Sequence, residues 1–341
     1  MVFLLYACCV PVDGARRSVI CDLQRNRPYL IPKALFEILT VHADKSLPDI
    51  KAYYEHEVDE TIDEYFHFLI ENDLGFWTDE PYLYPPIAYD WESPSQITNA
   101  IVDMNEHSIH DFDWIAMELD KVGCAAIQLR SYSSLSLDEL YSILRSFQNC
   151  RLRTIEILLK FSEGLELAAL EEIVHTHQRV SSIYIHSSPY AEAHMASRTK
   201  IPIVWINTAI SDHSFCGNVN PGRFASNIQM FTESMHYNNC LNRKISIDAD
   251  GHIKNCPAFG KSFGKAGSTS LTEVICESDF RKWWSISKDS IDTCRDCEFR
   301  YICTDCRAIT SNDSDMFSKP AKCKYNPYQA TWIANSYSYE Q

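Results

Sequence analysis

The sequence has no run approaching the roughly 20 consecutive apolar residues that cross a bilayer, so no transmembrane helix is expected. Positive charge is scarce. Lys and Arg total 31 against 46 Asp and Glu, a formal net charge of −15. Phosphate backbones and anionic membranes reward the opposite sign, so neither nucleic acid nor a membrane is expected as a partner. A basic peptide or a cationic patch on another protein fits better. The opening stretch, Met1-Val-Phe-Leu-Leu-Tyr-Ala-Cys-Cys9, lacks the basic segment of an export signal and its apolar run is short. It reads as a strand opening a folded domain. A reducing cytoplasm is the expected home, where disulfides are rare. No low-complexity segment occurs, and with 45% apolar and 23% charged residues the chain has the composition of packed domains.

Cysteine is abundant, and its placement is uneven. Of 14 cysteines, five are scattered (Cys8, Cys9, Cys21, Cys124, Cys150) and nine fall between Cys216 and Cys323. Local clustering with short spacers suits metal ligation better than a disulfide framework. Cys240 and Cys256 bracket a predicted β-hairpin, in which Ile245 and Ile247 alternate and Asp250-Gly251 supplies the turn. The hairpin would return Cys256 towards Cys240. Then come Cys294-x2-Cys297, five residues, Cys303-x2-Cys306, and Cys323. A two-residue spacer lets a tight turn aim two sulfurs at one metal site, and an iron–sulfur cluster needs about four thiolates around a compact core. Zinc competes, since paired Cys-x2-Cys units also bind it through four thiolates. A zinc ribbon, however, separates its pairs by some 15–20 residues. Cys124, Cys150 and Cys276 sit in or beside apolar segments and read as buried free thiols.

The rest of the chain reads as mixed α/β. Strands are predicted at 3–10 and 17–23 around an Asp13-Gly14 turn, followed by three helices, the last over 59–72. Phe76-Trp77 with Tyr82-Leu83-Tyr84 would form a small β wing, giving a winged-helix-like module over 1–92. Strands at 99–104, 125–129, 154–159, 182–185 and 201–206 alternate with helices at 114–122, 137–147 and 165–175. That alternation predicts βαβ units, a parallel sheet and part of a βα barrel over 97–210, with chemistry at the loops that follow the strands. The cysteine-rich domain occupies 211–341.

The array Cys240-x10-Gly251-x4-Cys256, Cys294-x2-Cys297-x5-Cys303-x2-Cys306 and Cys323 resembles the seven-cysteine SPASM domain of radical SAM peptide-modifying enzymes. The family pattern has three residues before its sixth cysteine, and this chain has two. Asn-Cys-Pro at 255–257, Cys-Glu-Phe-Arg-Tyr-Ile-Cys at 297–303, Asp-Cys-Arg at 305–307 and Cys-Lys-Tyr-Asn-Pro-Tyr at 323–328 resemble, more narrowly, the SPASM protein of "grasp-with-spasm" systems. Such systems pair it with an ATP-grasp ligase acting on a ribosomal precursor peptide. The resemblance implies two [4Fe–4S] clusters. One would take Cys240, Cys256 and Cys306, with Cys216 as candidate fourth ligand; the other would take Cys294, Cys297, Cys303 and Cys323. It implies a precursor peptide and an ATP-grasp ligase as partners.

The middle region resembles a radical SAM barrel, yet the Cys-x3-Cys-x2-Cys that holds the family's catalytic cluster occurs nowhere. The loop after the first barrel strand, Asn105 to Phe112, has no cysteine, and Arg130-Ser-Tyr-Ser-Ser134 stands where a glycine-rich stretch is expected. SAM is therefore not expected, and the barrel reads as retained scaffold. Glu106, His107, His110, Asp111 and Asp113 offer metal-capable groups there, but Asp111 or Asp113 capping the next helix is the simpler reading. The first module resembles PqqD-like leader-peptide domains, which add a peptide strand at a sheet edge. Two other functions stay open: a redox or radical peptide-modifying enzyme in its own right, and a zinc-stabilised interaction module.

Overall fold

The computed structural model describes residues 1–333, so the last eight residues of the expected 211–341 domain lie outside it. The chain divides into two compact units. The first joins Met1–Trp91, Gly217–Asn239 and the stretch from Ile286 onward; the second joins Glu92–Cys216 and Cys240–Ser285. The cysteine-dense stretch thus contributes to both.

The first unit begins β1 (Val2–Leu5), β2 (Cys9–Val12), β3 (Ser18–Asp22), β4 (Arg27–Ile31), α1 (Lys33–Val41), α2 (Leu47–Tyr53), α3 (Asp59–Glu71) and β5 (Gly75–Thr78). The segment 3–10 does not form one strand. Cys9 N–H donates to Tyr6 O at 2.8 Å, closing a turn, and the two halves enter different sheets. β1 pairs antiparallel with β5, while β2, β3 and β4 form an antiparallel meander. Phe76 and Trp77 therefore pair with β1 rather than with Tyr82–Tyr84, where a 3-10 turn, Pro81–Leu83, stands in place of the expected wing. At Gly75 a side chain would meet Leu4 O at 2.4 Å, so the β1–β5 approach demands glycine.

Successive residues of a strand face opposite sides, and β3 is buried on both. Ile20 joins Leu35, Ile38, Ile62, Phe66 and Leu69 of the helices. Phe3 meets Phe66 and Trp77 edge-on, each at 5.3 Å. Val19 and Cys21 face the other way, onto Phe231, Phe299, Ile302 and Tyr325 from the later segments of the same unit. The loops that carry the cysteines thus rest on a sheet already filled on its far side.

The second unit is built on an eight-stranded, mostly parallel sheet. Its elements are β6 (Asn99–Met104), α4 (Phe112–Lys121), β7 (Ala126–Ser131), α5 (Leu137–Ser146), β8 (Thr154–Lys160), α6 (Leu167–Thr176), β9 (Val180–His186), β10 (Glu192–Met195), β11 (Pro202–Trp205), β12 (Lys244–Ile247) and β13 (Ile253–Lys254). The order across the sheet is β10-β11-β9-β8-β7-β6-β12-β13. Only the edge strands β10 and β13 pair antiparallel. The apolar strands and amphipathic helices read from the sequence are present to within a few residues. Their core holds Ile115, Leu119, Ile143, Leu144, Ile157, Leu170 and Ile183. Ser136 begins α5 with a capping box: its hydroxyl accepts from Glu139 N–H at 3.2 Å, and the Glu139 carboxylate accepts from Ser136 N–H at 2.8 Å. Unforeseen was the docking of the β12–β13 hairpin, whose first strand extends the sheet parallel to β6, with Ile245 opposite Ala100 and Ile247 opposite Val102. No helix among the described residues is long and apolar enough to cross a membrane.

Candidate metal centre

Four of the predicted ligands, Cys294, Cys297, Cys303 and Cys323, lie together in the first unit. Cys294 opens a 3-10 turn through Asp296, and Cys297 N–H donates back to Cys294 O at 3.0 Å. Cys303 N–H donates to Phe299 O and Cys323 N–H to Pro320 O. The Cys294-x2-Cys297 spacer is thus a tight turn, as the spacing requires, whereas Thr304–Cys306 run without a turn. The sulfurs feel one another. Burial pushes the Cys294 thiol up to about 12, and Asp305, Cys303 and Cys323 add to it. Burial also raises Cys297, helped by Glu298, Cys303 and Cys294. Both shifts favour the protonated thiol, and metal ligation displaces that proton.

A cation sits at this quartet. Lys288 is only 4% exposed, and its ammonium donates to Cys303 O and to Thr304 O, the latter at 3.0 Å. Burial opposes its charge, yet the Cys303 thiol, the Asp305 carboxylate and the Cys294 thiol hold it above the ordinary lysine value. The loop itself is pinned. Asp305 pairs with Arg307 at 2.7 Å and accepts from Asn238 at 2.6 Å; Asn239 bonds Cys303 O at 2.9 Å. On the other flank the wholly buried Glu298 takes Arg17 at 2.8 Å and the Tyr325 hydroxyl.

Cys216, Cys240 and Cys256 belong to the second unit and converge on one group, Lys244. Its ammonium donates to Cys240 Sγ at 3.3 Å. Burial opposes the charge, and the thiols of Cys240, Cys256 and Cys216 outweigh it, holding the pKa up. The hairpin works as its sequence predicted. Gly251 takes φ +83, a left-handed turn conformation that a side chain would strain, and Asp248 accepts from His252 N–H at 2.8 Å. Asn255 ties the returning strand to Leu241 O and Lys244 O. The fourth residue assigned with this group, Cys306, belongs to the first unit. Its Sγ lies 3.1 Å from where a side chain on Gly217 would begin, and Gly217 takes φ +80.

The ends of β6 and β7 carry a feature that sequence reasoning missed. Asp103 and Arg130 are register partners on adjacent strands, both buried. Arg130 grips Asp103 through two bonds, 2.6 and 2.8 Å, and donates a third to Cys216 Sγ at 3.1 Å. The available signal was one acid and one base, the only charged residues of β6 and β7. His110 bonds Asp103 O at 2.8 Å, and Asp111 caps α4 through Trp114 N–H at 2.9 Å, as expected. Cys276 is a correction: it ends the helix Leu271–Cys276 exposed rather than buried, while Cys124 is buried as read.

Among the described residues, two triplets of ligating atoms come within 4.8 Å: Cys8-Cys9-Asp22 and Asp248-Asp250-His252. Local structure accounts for both. Asp22 caps the β3–β4 turn and pairs with Arg25 at 2.9 Å; Asp248 holds the hairpin turn and pairs with Lys254 at 2.8 Å. No family model and no curated protein matches the chain.

The donor set fits an anionic metal–thiolate centre. An ammonium buried in a protein interior is strongly disfavoured without a nearby anion. Lys244 and Lys288 form no ion pair with a carboxylate among the described residues. Lys244 faces cysteines alone and Lys288 faces cysteines and the Asp305 carboxylate, and the cysteines become anions on binding a metal.

Proposed function

We propose that the chain is a SPASM-type iron–sulfur protein that binds a ribosomal precursor peptide and works with an ATP-grasp ligase in its maturation. The observation that carries the proposal is two lysines, the buried Lys288 and the half-buried Lys244, each placed against a different group of cysteines. Two thiolate-rich anionic centres would give both a counter-charge. In this reading Cys294, Cys297, Cys303 and Cys323 hold one [4Fe–4S] cluster. Cys216, Cys240 and Cys256 belong to the other, with Cys306 proposed from the motif.

Iron is favoured over zinc by spacing. A single zinc ion draws four thiolates to about 2.3 Å of itself, whereas a multi-iron core spreads them. The Cys294 quartet is looser than the two triplets within 4.8 Å. When bound, the clusters would supply one-electron redox capacity or cross-link the loops. The chain's own residues hold the loops, keep water from the buried thiols and supply positive charge.

The first unit supplies a candidate peptide-binding surface, the edge strand β4 of its three-stranded sheet, and the net charge of −15 favours a basic leader. The second unit is read as a partial barrel kept as scaffold. Its strand ends at β6 and β7 are filled by the Asp103–Arg130 pair, and the sequence lacks Cys-x3-Cys-x2-Cys. Anaerobic purification with iron and sulfide analysis tests the cofactor. Two [4Fe–4S] clusters predict about eight of each per chain. Stoichiometric zinc without iron would remove the reading in favour of an interaction module. Formation of 5′-deoxyadenosine from SAM would mark an enzyme instead. Co-purification with a precursor and its ligase tests the partnership, and no complex under any nucleotide condition would contradict it.

A further inference from the structure

We infer that Lys244 and Arg130 on one side, and Lys288 on the other, set unequal reduction potentials, with the centre held by Cys216, Cys240 and Cys256 the more readily reduced. The inference rests on the iron–sulfur reading above. One-electron reduction adds a negative charge to a cluster. Nearby positive charge and N–H···S bonds stabilise that form and raise the potential.

The two sites are provided for differently. At the trio, Lys244 donates directly to Cys240 Sγ at 3.3 Å and Arg130 to Cys216 Sγ at 3.1 Å. Arg130's own charge is offset by Asp103, so it acts through an oriented N–H, held in place by two bonds to that carboxylate. At the quartet, a single cation, Lys288, reaches one sulfur, that of Cys303, and spends its other N–H groups on two backbone carbonyls, Cys303 O and Thr304 O. Two buried carboxylates also stand in that neighbourhood: Asp305, 2% exposed, and Glu298, fully buried. Each is paired with an arginine, which moderates its effect without removing it. Burial adds a smaller difference in the same direction: Cys294 is enclosed, whereas Cys297, Cys303 and Cys323, like Cys216, Cys240 and Cys256, are half-buried. An enclosed cluster loses solvent stabilisation of its reduced form.

The test is a dithionite titration of the full-length, cluster-loaded protein followed by electron paramagnetic resonance. Two one-electron waves are expected. Lys244→Met should lower the midpoint of the higher wave and leave the lower one unmoved; Lys288→Met should lower only the lower wave. Full iron content with unmoved waves would overturn the inference while leaving the iron–sulfur reading standing. Absence of iron from the unaltered protein would instead overturn that reading. If Lys244→Met shifts the lower wave, the ordering is wrong. Should either variant load poorly, unaltered protein grown on 15N-lysine decides the contact. Nitrogen hyperfine coupling to both reduced clusters is expected, and its absence from either contradicts the assignment.

Discussion

The two groups of cysteines are supported by opposite kinds of backbone. In the second unit, Cys240 and Cys256 flank a hairpin whose first strand is hydrogen-bonded into the parallel sheet, while Cys216 follows the 3-10 turn His213–Phe215 well beyond the end of β11. In the first unit, Cys294, Cys297, Cys303 and Cys323 sit on turns with little regular structure, held by side chains such as Asp305, Arg307 and Asn239. A frame built of strands keeps its shape without a ligand. One built of turns depends on whatever cross-links it. On the iron–sulfur reading, the same ligand chemistry carries unequal structural weight at the two groups.

Metal removal should break the comparison most visibly. Stripping iron from the loaded protein, or Cys297→Ala with Cys303→Ala, should open the amides of 286–333 by orders of magnitude in hydrogen exchange, because ligation energy is also folding energy there. Amides of β12 and β13 should change far less. Equal loss of protection in both would erase the distinction. Next in size is the buried ion pair. Arg130→Met strands the Asp103 carboxylate and should cost about 3–5 kcal/mol in thermal or denaturant unfolding, with Asp103→Leu added on top recovering part of it. No recovery in the double variant would mean that the pair does not act as a unit.

A smaller effect appears with pH. Burial raises the Cys124 thiol from 9.0 to about 12. The folded state therefore binds this proton more tightly than the unfolded chain. Its contribution is complete below about pH 9 and is lost as pH rises towards 12. Cys124→Ala should flatten that alkaline decline in unfolding free energy, and an unchanged slope would refute the assignment. Smallest is the cap of α5: Ser136→Ala should cost about 1 kcal/mol, leaving spectra of the loaded clusters unchanged.

What was legible in the sequence was local. Strands β6 to β9 declared themselves through short apolar runs between amphipathic helices, and the β12–β13 hairpin through Asp250-Gly251. The spacing Cys294-x2-Cys297 announced its turn. Long-range facts were not legible. Nothing in Lys244-Ile-Ser-Ile247 says that it will lie parallel to β6, 145 positions earlier at Asn99. The break at Tyr6–Cys8 was hidden because the apolar residues run through it, and β4 was missed because the polar run Arg25-Asn-Arg27 leads into it. Lys288 and Lys244 look like ordinary surface lysines in sequence. Their placement against groups of cysteines is visible only in the fold.

The most direct measurement of the central claim is iron and acid-labile sulfide per chain, in the unaltered protein and in two double variants, Cys297→Ala with Cys303→Ala and Cys240→Ala with Cys256→Ala. Two separate clusters predict that each double variant keeps about half of both elements. Zinc in place of iron in the unaltered protein, or undiminished iron in either double variant, would contradict it.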